Sequence, residues 1–196
     1  MRIITGLFKG AKLKTLKGDS VRPTLDRVKE SIFSILENLF KASDFEFEAI
    51  ENKKVLDLFS GTGNLGLESL SRGASSITFV DKSTLSLNVL KDNIESLKVK
   101  DKCQVIKSDS VKFIDRITDK FDLIFLDPPY NQGFVKIILN KIDKNEILNI
   151  NGIIVIEHSK HEEINFDLGS LIVFRQERYG EIIVNFLMLK NNQIIK

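Results

Sequence analysis

The sequence predicts an α/β fold with a mostly parallel sheet closed by an antiparallel hairpin. Apolar runs alternate with segments of helical periodicity through most of the chain, as expected of successive β-α-β units. One apolar run leads directly into a glycine turn and a helix. The last two apolar runs have only a turn between them, which favours a hairpin.

The predicted elements follow in the order that this fold requires. A first helix, entered through Arg22-Pro23-Thr24 with Thr24 as N-cap, carries one apolar face. The strands are predicted at 54–58, 76–80, 103–107, 121–126 and 152–157, the helices at 66–71, 84–97, just after 110 and at 134–142, and the hairpin strands at 170–174 and 181–187. This leaves one main domain, 23–196, and an N-terminal β-hairpin extension, 1–22.

The first strand runs into a turn that is typical of nucleotide-type cofactor loops. Gly61 and Gly63 permit positive φ and close approach of a ligand, and Gly66 lets the next helix pack tightly on the strand. Asp81 ends the second strand, where a ribose-binding acid is expected. The loop alone does not distinguish a nicotinamide dinucleotide from S-adenosylmethionine as the cofactor.

Acidic residues at other strand ends favour S-adenosylmethionine. Asp57 lies in the strand before the glycines, where a carboxylate suits an ammonium group better than a pyrophosphate. Ser108 and Asp109 follow the third strand and offer an acceptor for an adenine amine. Each aspartate alone is more often solvated or caps a helix, so the prediction depends on their common position at successive strand ends.

The fourth strand ends in Asp127-Pro128-Pro129-Tyr130, which is the most informative motif of the chain. The two prolines end the strand and hold the backbone extended. The Asp127 carboxylate and the Pro128 carbonyl can then accept both N–H bonds of an exocyclic amine, and Tyr130 offers a ring on which a flat base can stack. The motif therefore predicts methylation of a nucleobase amine.

Composition narrows the remaining possibilities. With 196 residues, 42% of them hydrophobic, the chain suits one compact domain with a small appendage. The single cysteine, Cys103, excludes an internal disulfide framework and favours packing in its strand. We expect a cytoplasmic protein, since no stretch resembles a signal peptide or a membrane span. His158 and His161 do not form a zinc set, so we predict no metal and place both at the surface or at strand ends.

Positive charge is concentrated in the first 29 residues. They hold eight basic and two acidic residues, a local net charge of +6 in a chain whose net charge is +2. Such a segment is typical of a phosphate-contacting appendage, although a solvated lysine-rich hairpin has the same pattern. The predicted nucleic-acid contacts are Arg2, Lys9, Lys12, Arg22, Arg27 and Lys29.

Four motifs stand in order along nearly the whole chain. They read R-I-I-x-G-x-x-K-G at 2–10, R-P-T-x-D-R-V-K-E at 22–30, D-L-F-S-G-T-G at 57–63 and D-P-P-Y at 127–130. Together they resemble the RsmD family of bacterial small-subunit ribosomal RNA guanine-N2 methyltransferases. The N-terminal motifs are far more specific than the two core motifs.

The resemblance implies methyl transfer from S-adenosylmethionine to the N2 amine of one guanine in 16S ribosomal RNA, within an assembled or nearly assembled small subunit. It implies a Rossmann-like methyltransferase fold, and we expect a monomer without membrane contact. Asp127, Pro128 and Tyr130 are then the catalytic residues. The cofactor shell is predicted to be Asp57, Phe59, Ser60, Gly61, Gly63, Asn64, Asp81, Lys82, Ser108 and Asp109.

Three other functions are compatible with part of the sequence. An adenine-N6 methyltransferase acting on DNA uses the same Asp-Pro-Pro-Tyr chemistry. A ribosome assembly factor that binds RNA without turnover fits the basic N-terminus but leaves that motif unexplained. A nicotinamide oxidoreductase fits the glycine loop alone.

Overall fold

The structure, a computed structural model, describes residues 1–16, 26–42, 50–130, 132–162 and 164–191. A seven-stranded sheet with the order β3-β2-β1-β4-β5-β7-β6 forms its centre, and only β7 and its neighbours pair antiparallel. The strands are β1 (Lys54–Leu58), β2 (Ser76–Asp81), β3 (Cys103–Lys107), β4 (Phe121–Leu126), β5 (Leu148–Ser159), β6 (Leu171–Tyr179) and β7 (Ile182–Leu189). The predicted fold is confirmed.

Helices cover both faces of the sheet. They are α1 (Asp26–Ala42), α2 (Asn64–Ser71), α3 (Thr84–Leu97), α4 (Ser110–Ile114) and α5 (Phe134–Lys144). Side chains of α1, α2 and α3 pack in one apolar cluster and those of α4 and α5 in another. The central parallel strands β1 and β4 are therefore buried on both sides, and their sequences are mostly apolar.

The first 16 residues form a segment that lies along α2, which we call the N-terminal segment. Only one antiparallel bridge, Arg2 with Lys12, is formed in it, so it is less regular than the predicted β-hairpin. Glu68 accepts the backbone N–H groups of Ile4 at 2.8 Å and Thr5 at 3.0 Å. The predicted domain boundary at residue 22 and the predicted N-cap Thr24 lie outside the described residues.

Within the described residues, no helix has both the length and the apolar character that crossing a membrane requires.

Candidate active site

The register of the parallel strands brings the predicted site residues to one edge of the sheet. Leu58 pairs with Val80 on one side and with Leu126 on the other. Leu126 in turn pairs with Ile156. Because the chain continues in the same direction from each strand, the segments that follow β1, β2, β3 and β4 emerge together with Glu157. The glycine loop, residues 59–63, and the Asp-Pro-Pro-Tyr turn are therefore neighbours.

The glycine loop has a backbone that few sequences adopt. Phe59 has a φ of 61° and Gly61 a φ of 53°, both in the left-handed region. A Cβ added to Gly61 would meet no atom within 4 Å, so its face of the loop is open to a ligand. A Cβ added to Gly66 would lie 2.3 Å from Cε1 of Phe79, which explains the glycine at that position through close packing of helix and strand.

Asp57 is a nearly buried carboxylate directly beneath the loop. It is 3% exposed, and its Oδ2 accepts the backbone N–H of Gly66 at 3.0 Å. Burial raises the pKa of Asp57 to about 7, the hydrogen bond from Gly66 opposes that rise, and the charge of Asp81 adds to it. A cationic ligand group nearby would favour the ionised carboxylate.

Asp81 supports the glycine loop from the next strand. Its Oδ2 accepts the N–H of Gly61 at 2.8 Å and its Oδ1 accepts that of Ser83 at 2.7 Å. Asp109, after β3, caps α4 by accepting the N–H of Lys112 at 3.0 Å. Both aspartates thus have local structural bonds, and their predicted ligand contacts remain predictions.

The remaining predicted shell residues line the same edge. Phe59 packs against Phe134, with ring centroids 5.7 Å apart. Lys82 is exposed, whereas Ser108 donates through Oγ to the carbonyl of Asp109 at 3.0 Å. The buried Oγ of Ser60 has no hydrogen-bond partner among the described residues, which leaves it available to a bound molecule.

The Asp-Pro-Pro-Tyr turn is anchored by a residue of the neighbouring strand. The hydroxyl of Tyr130 donates to Oε1 of Glu157 at 2.9 Å, and Glu157 is 4% exposed. Asp127 is partly accessible, while Pro128 is buried. The close protein surroundings of Asp127 raise its pKa well above the ordinary value, and the charges of Glu157 and Asp57 raise it further.

Glu157 is the site residue that the sequence did not assign to a role. Its only signal in the sequence is its place at the end of the apolar run of β5. The contact with Tyr130 spans 27 residues and depends on the pairing of β4 with β5. A local pattern does not contain that information.

The predicted nucleic-acid contacts separate into exposed and buried residues. Arg2, Lys9, Lys12 and Arg27 are exposed, and Arg22 lies outside the described residues. The prediction for Lys29 is wrong, because its side chain is 0% exposed and its ammonium lies 3.2 Å from Oε2 of Glu68. A phosphate cannot reach it there.

The two histidines also differ. His161 is largely exposed, as predicted, but His158 is 1% exposed and lies inside the sheet. Its Nδ1 donates to the carbonyl of Ser159 and its Nε2 accepts from Asn185, both at 2.9 Å. Burial lowers the pKa of His158, so it is a neutral core residue. Its place beside the last residue of β5 agrees with the predicted strand end, whereas it is not at the surface.

No group of three or more His, Cys, Asp or Glu side chains in the described part of the chain is arranged to hold a metal ion. Cys103 is partly buried beside the apolar cluster of α1, α2 and α3, and burial raises its pKa to about 12. It packs as predicted.

The chain is similar to known proteins over most of its length. Residues 1–188 match the family described as Conserved hypothetical protein 95. Ribosomal RNA small subunit methyltransferase D of Haemophilus influenzae is 34% identical over 167 residues, which cover 84% of this chain and 81% of that protein. The protein of the same name from Escherichia coli K12 is 31% identical and covers 80% of this chain and 74% of its own length.

Solved structures show the same fold. The yhhF protein of Escherichia coli superposes with a TM-score of 0.84 at 27% identity, covering 96% of this chain and 97% of that one. SMU.776, which was solved in complex with S-adenosylhomocysteine (SAH), has a TM-score of 0.59 at 19% identity and covers 79% of this chain and 48% of its own. At that identity the likeness concerns the fold alone.

Proposed function

Because the chain belongs to the Conserved hypothetical protein 95 family, which is the RsmD family, we propose that it methylates a guanine of 16S ribosomal RNA. The acceptor is the exocyclic N2 amine, and S-adenosylmethionine is the donor. The names of the Haemophilus and Escherichia relatives support ribosomal RNA of the small subunit as substrate. The Asp-Pro-Pro-Tyr turn supports an exocyclic amine as the acceptor.

One observation carries this proposal. The glycine loop and the Asp-Pro-Pro-Tyr turn begin one residue beyond Leu58 and Leu126, which are register partners in adjacent strands. Adjacent strands lie about 4.8 Å apart, so a ligand in the loop and a base on the turn would be next to each other. This is the proximity that group transfer between them requires.

The cofactor shell fits a cationic nucleoside. Three features lie at the end of β1 and in the loop that follows it: the buried carboxylate of Asp57, the open face of Gly61, and the Oγ of Ser60, which has no partner among the described residues. Asp81 and its neighbour Lys82 lie at the end of the adjacent strand. Bound there, S-adenosylmethionine supplies a methyl group activated by its sulfonium. Asn64, Ser108 and Asp109 complete the proposed shell.

The turn residues act on the amine of the base. The carboxylate of Asp127 and the carbonyl of Pro128 accept its two N–H bonds, which stabilises positive charge as it develops on the nitrogen. Asp127 must be ionised to do this, and the positive charge of a bound cofactor would oppose the rise in its pKa that burial causes. Tyr130, held by Glu157, presents its ring to a flipped or single-stranded guanine.

The exposed basic residues support RNA as the partner. The backbones of Arg2 and Lys12 pair in an antiparallel β-bridge. Nε of Arg2 lies 3.8 Å from Asp26, the first residue of α1, which is followed by Arg27. Lys29 donates both to the carbonyl of Arg2 and to the side chain of Asn64, which lies beside the glycine loop. These exposed cations therefore lie near the proposed site. We propose that they contact phosphates near the target base.

Methylation of isolated small subunits tests the proposal. Subunits from a strain that lacks the gene would be incubated with purified protein and S-adenosylmethionine, and their RNA digested to nucleosides. We expect one N2-methylguanosine per 16S molecule, and a rate lower by about 100-fold or more with Asp127→Ala. If N6-methyladenosine formed in added DNA and no methylated nucleoside formed in the subunits, the proposed substrate would be refuted.

A further inference from the structure

A fully buried lysine joins the N-terminal segment to the residue that follows the glycine loop. Nζ of Lys29 donates to the carbonyl of Arg2 at 2.7 Å and to Oδ1 of Asn64 at 2.8 Å. Its charge is balanced by Glu68, 3.2 Å away and also 0% exposed. Asn64 is the first residue of α2, directly after Gly63, so a single ammonium contacts both the segment and the residue that adjoins the loop.

A buried asparagine of α3 makes a second, independent connection. Asn93 is 1% exposed, and its Oδ1 accepts the backbone N–H of Lys14 at 2.8 Å. Its Nδ2 donates to the carbonyls of Lys14 and Thr62, each at 3.1 Å. Thr62 lies within the glycine loop. Both ends of the N-terminal segment are therefore hydrogen-bonded through one buried side chain each, one end to the residue that follows the loop and the other to the loop itself.

We propose that Lys29 and Asn93 are positioning residues that make the ligand-binding form of the glycine loop depend on the seated N-terminal segment. The inference rests on the proposed function in taking S-adenosylmethionine as the ligand of the loop and, for the coupling to the segment, RNA as the partner. Positive φ at Phe59, which carries a side chain, costs free energy, and such a backbone persists only where surrounding contacts hold it. The segment also carries exposed Arg2 and Lys12, so RNA bound there and cofactor bound in the loop would strengthen each other.

The middle of the segment supplies a matched control. The turn at residues 5–10 is attached to the end of α2, where the Oγ of Ser71 accepts from the N–H of Phe8 at 2.9 Å and donates to the carbonyl of Thr5 at 2.6 Å. Asn64 and Ser71 are the two ends of α2, about 10 Å apart along the helix axis. Ser71→Ala therefore loosens the segment without touching the glycine loop.

The test compares SAH binding by Lys29→Met, Asn93→Leu and Ser71→Ala in the full chain, by calorimetry, alongside their thermal unfolding. We expect the SAH dissociation constant to rise about tenfold in the first two variants and less than about twofold in Ser71→Ala. Lys29→Gln and Asn93→Ser, which keep one polar partner, should give intermediate values and serve where the larger changes prevent folding. Dissociation constants that are unchanged, or that simply follow the melting temperature across the set, would overturn the proposal.

A second measurement concerns the RNA. The ratio of RNA affinity with SAH to that without SAH should exceed one in the wild type and Ser71→Ala and fall towards one in Asn93→Leu. A wild type that binds no SAH would overturn both this inference and the proposed cofactor. A wild type that binds SAH and methylates a different nucleic acid would overturn the proposed substrate alone, because SAH binding needs no RNA.

Discussion

In the described part of this protein, buried and partly buried charges form two groups that differ in how they are compensated. Between α1 and α2, Lys29 and Glu68 are both 0% exposed and lie 3.2 Å apart, and Arg72 adds a bond to Glu68 at 3.0 Å. At the carboxyl edge of the sheet, Asp57 and Asp127 are crowded by other carboxylates, and no basic side chain of the described residues offsets the rise in their pKa.

The difference separates structure from ligand binding. A buried charge with a partner of opposite sign holds its neighbours in place, and removing one member leaves the other uncompensated. Buried carboxylates without a cation destabilise the empty protein and favour any cationic ligand that enters. The first group therefore positions the N-terminal segment, and the second is suited to a cofactor that carries positive charge.

The largest expected effect comes from breaking the paired group. Glu68→Ala leaves the ammonium of Lys29 without its counterion and also removes the acceptor of Ile4 and Thr5. We expect the free energy of unfolding to fall by about 3–5 kcal/mol in urea titrations. Glu37→Ala removes a partly exposed partner of Arg72 and should cost less than about 1 kcal/mol. A Glu68→Ala protein as stable as Glu37→Ala would contradict the comparison.

Asp57→Asn should instead increase the free energy of unfolding in the absence of ligand. The pKa of Asp57 is raised from 3.8 to about 7, so the folded state holds a proton that the unfolded state releases between these values. The contribution of Asp57 to the stability of the wild type is then full below pH 3.8 and is lost as pH rises to about 7, by an upper limit of about 4 kcal/mol. The asparagine side chain cannot be charged, so the variant should gain stability over the wild type as pH rises.

The same variant should bind SAH more weakly, since the carboxylate is removed. Unfolding at pH 5 and pH 8, with SAH calorimetry at pH 8, measures both effects. A difference in stability that does not change with pH would show that Asp57 has an ordinary pKa.

Glu157→Gln tests the coupling between the carboxylates at a smaller scale. Glutamine still accepts from Tyr130, but the charge that raises the pKa of Asp127 is gone. We expect the acidic limb of the pH–rate profile to move to lower pH with turnover changed only a few-fold. Tyr130→Phe, which removes the hydrogen bond and keeps the ring, should lower turnover by about tenfold. An acidic limb at the same pH in Glu157→Gln and in the wild type would show that the charge of Glu157 does not set its position.

The smallest effect on stability is expected at the exposed cations. Arg2→Ala breaks an ion pair with Asp26 whose side chains are 68% and 48% exposed, so the free energy of unfolding should change by less than about 0.5 kcal/mol. RNA binding should nevertheless become less dependent on salt. The slope of log affinity against log salt should fall in magnitude by about 0.7 for each phosphate that the variant no longer binds. An unchanged slope would show that Arg2 meets no phosphate.

The sequence predicts the elements of this fold well because their periodicity is local. The predicted bounds of α3, β3 and β4 coincide with those observed, and α5 runs only two residues further. β5 is longer than predicted, since its first residues, 148–151, include polar side chains and lead into a turn-like Asn-Gly. Residue types and strand ends are enough to place the loop and the turn at one edge.

Errors arise where a side chain is buried by residues distant in the sequence. Lys29 is covered by Arg2 and by Glu68, 39 residues further on, and the sequence pattern around it is that of an exposed helix end. The position of His158 near the end of β5 agrees with the prediction, but its burial, with a hydrogen bond to Asn185 in β7, is not predicted. In both cases the partner depends on how elements are placed in three dimensions, which the local composition does not specify.

The most direct test of the central claim is made in the host cell. The gene would be deleted and the strain complemented with the wild type or with Asp127→Ala, and 16S ribosomal RNA analysed for modified nucleosides by mass spectrometry. We predict that deletion removes one N2-methylguanosine, that the wild-type gene restores it and that Asp127→Ala does not. A modification pattern that deletion leaves unchanged, or that Asp127→Ala restores in full, would contradict the proposed substrate or the proposed role of Asp127.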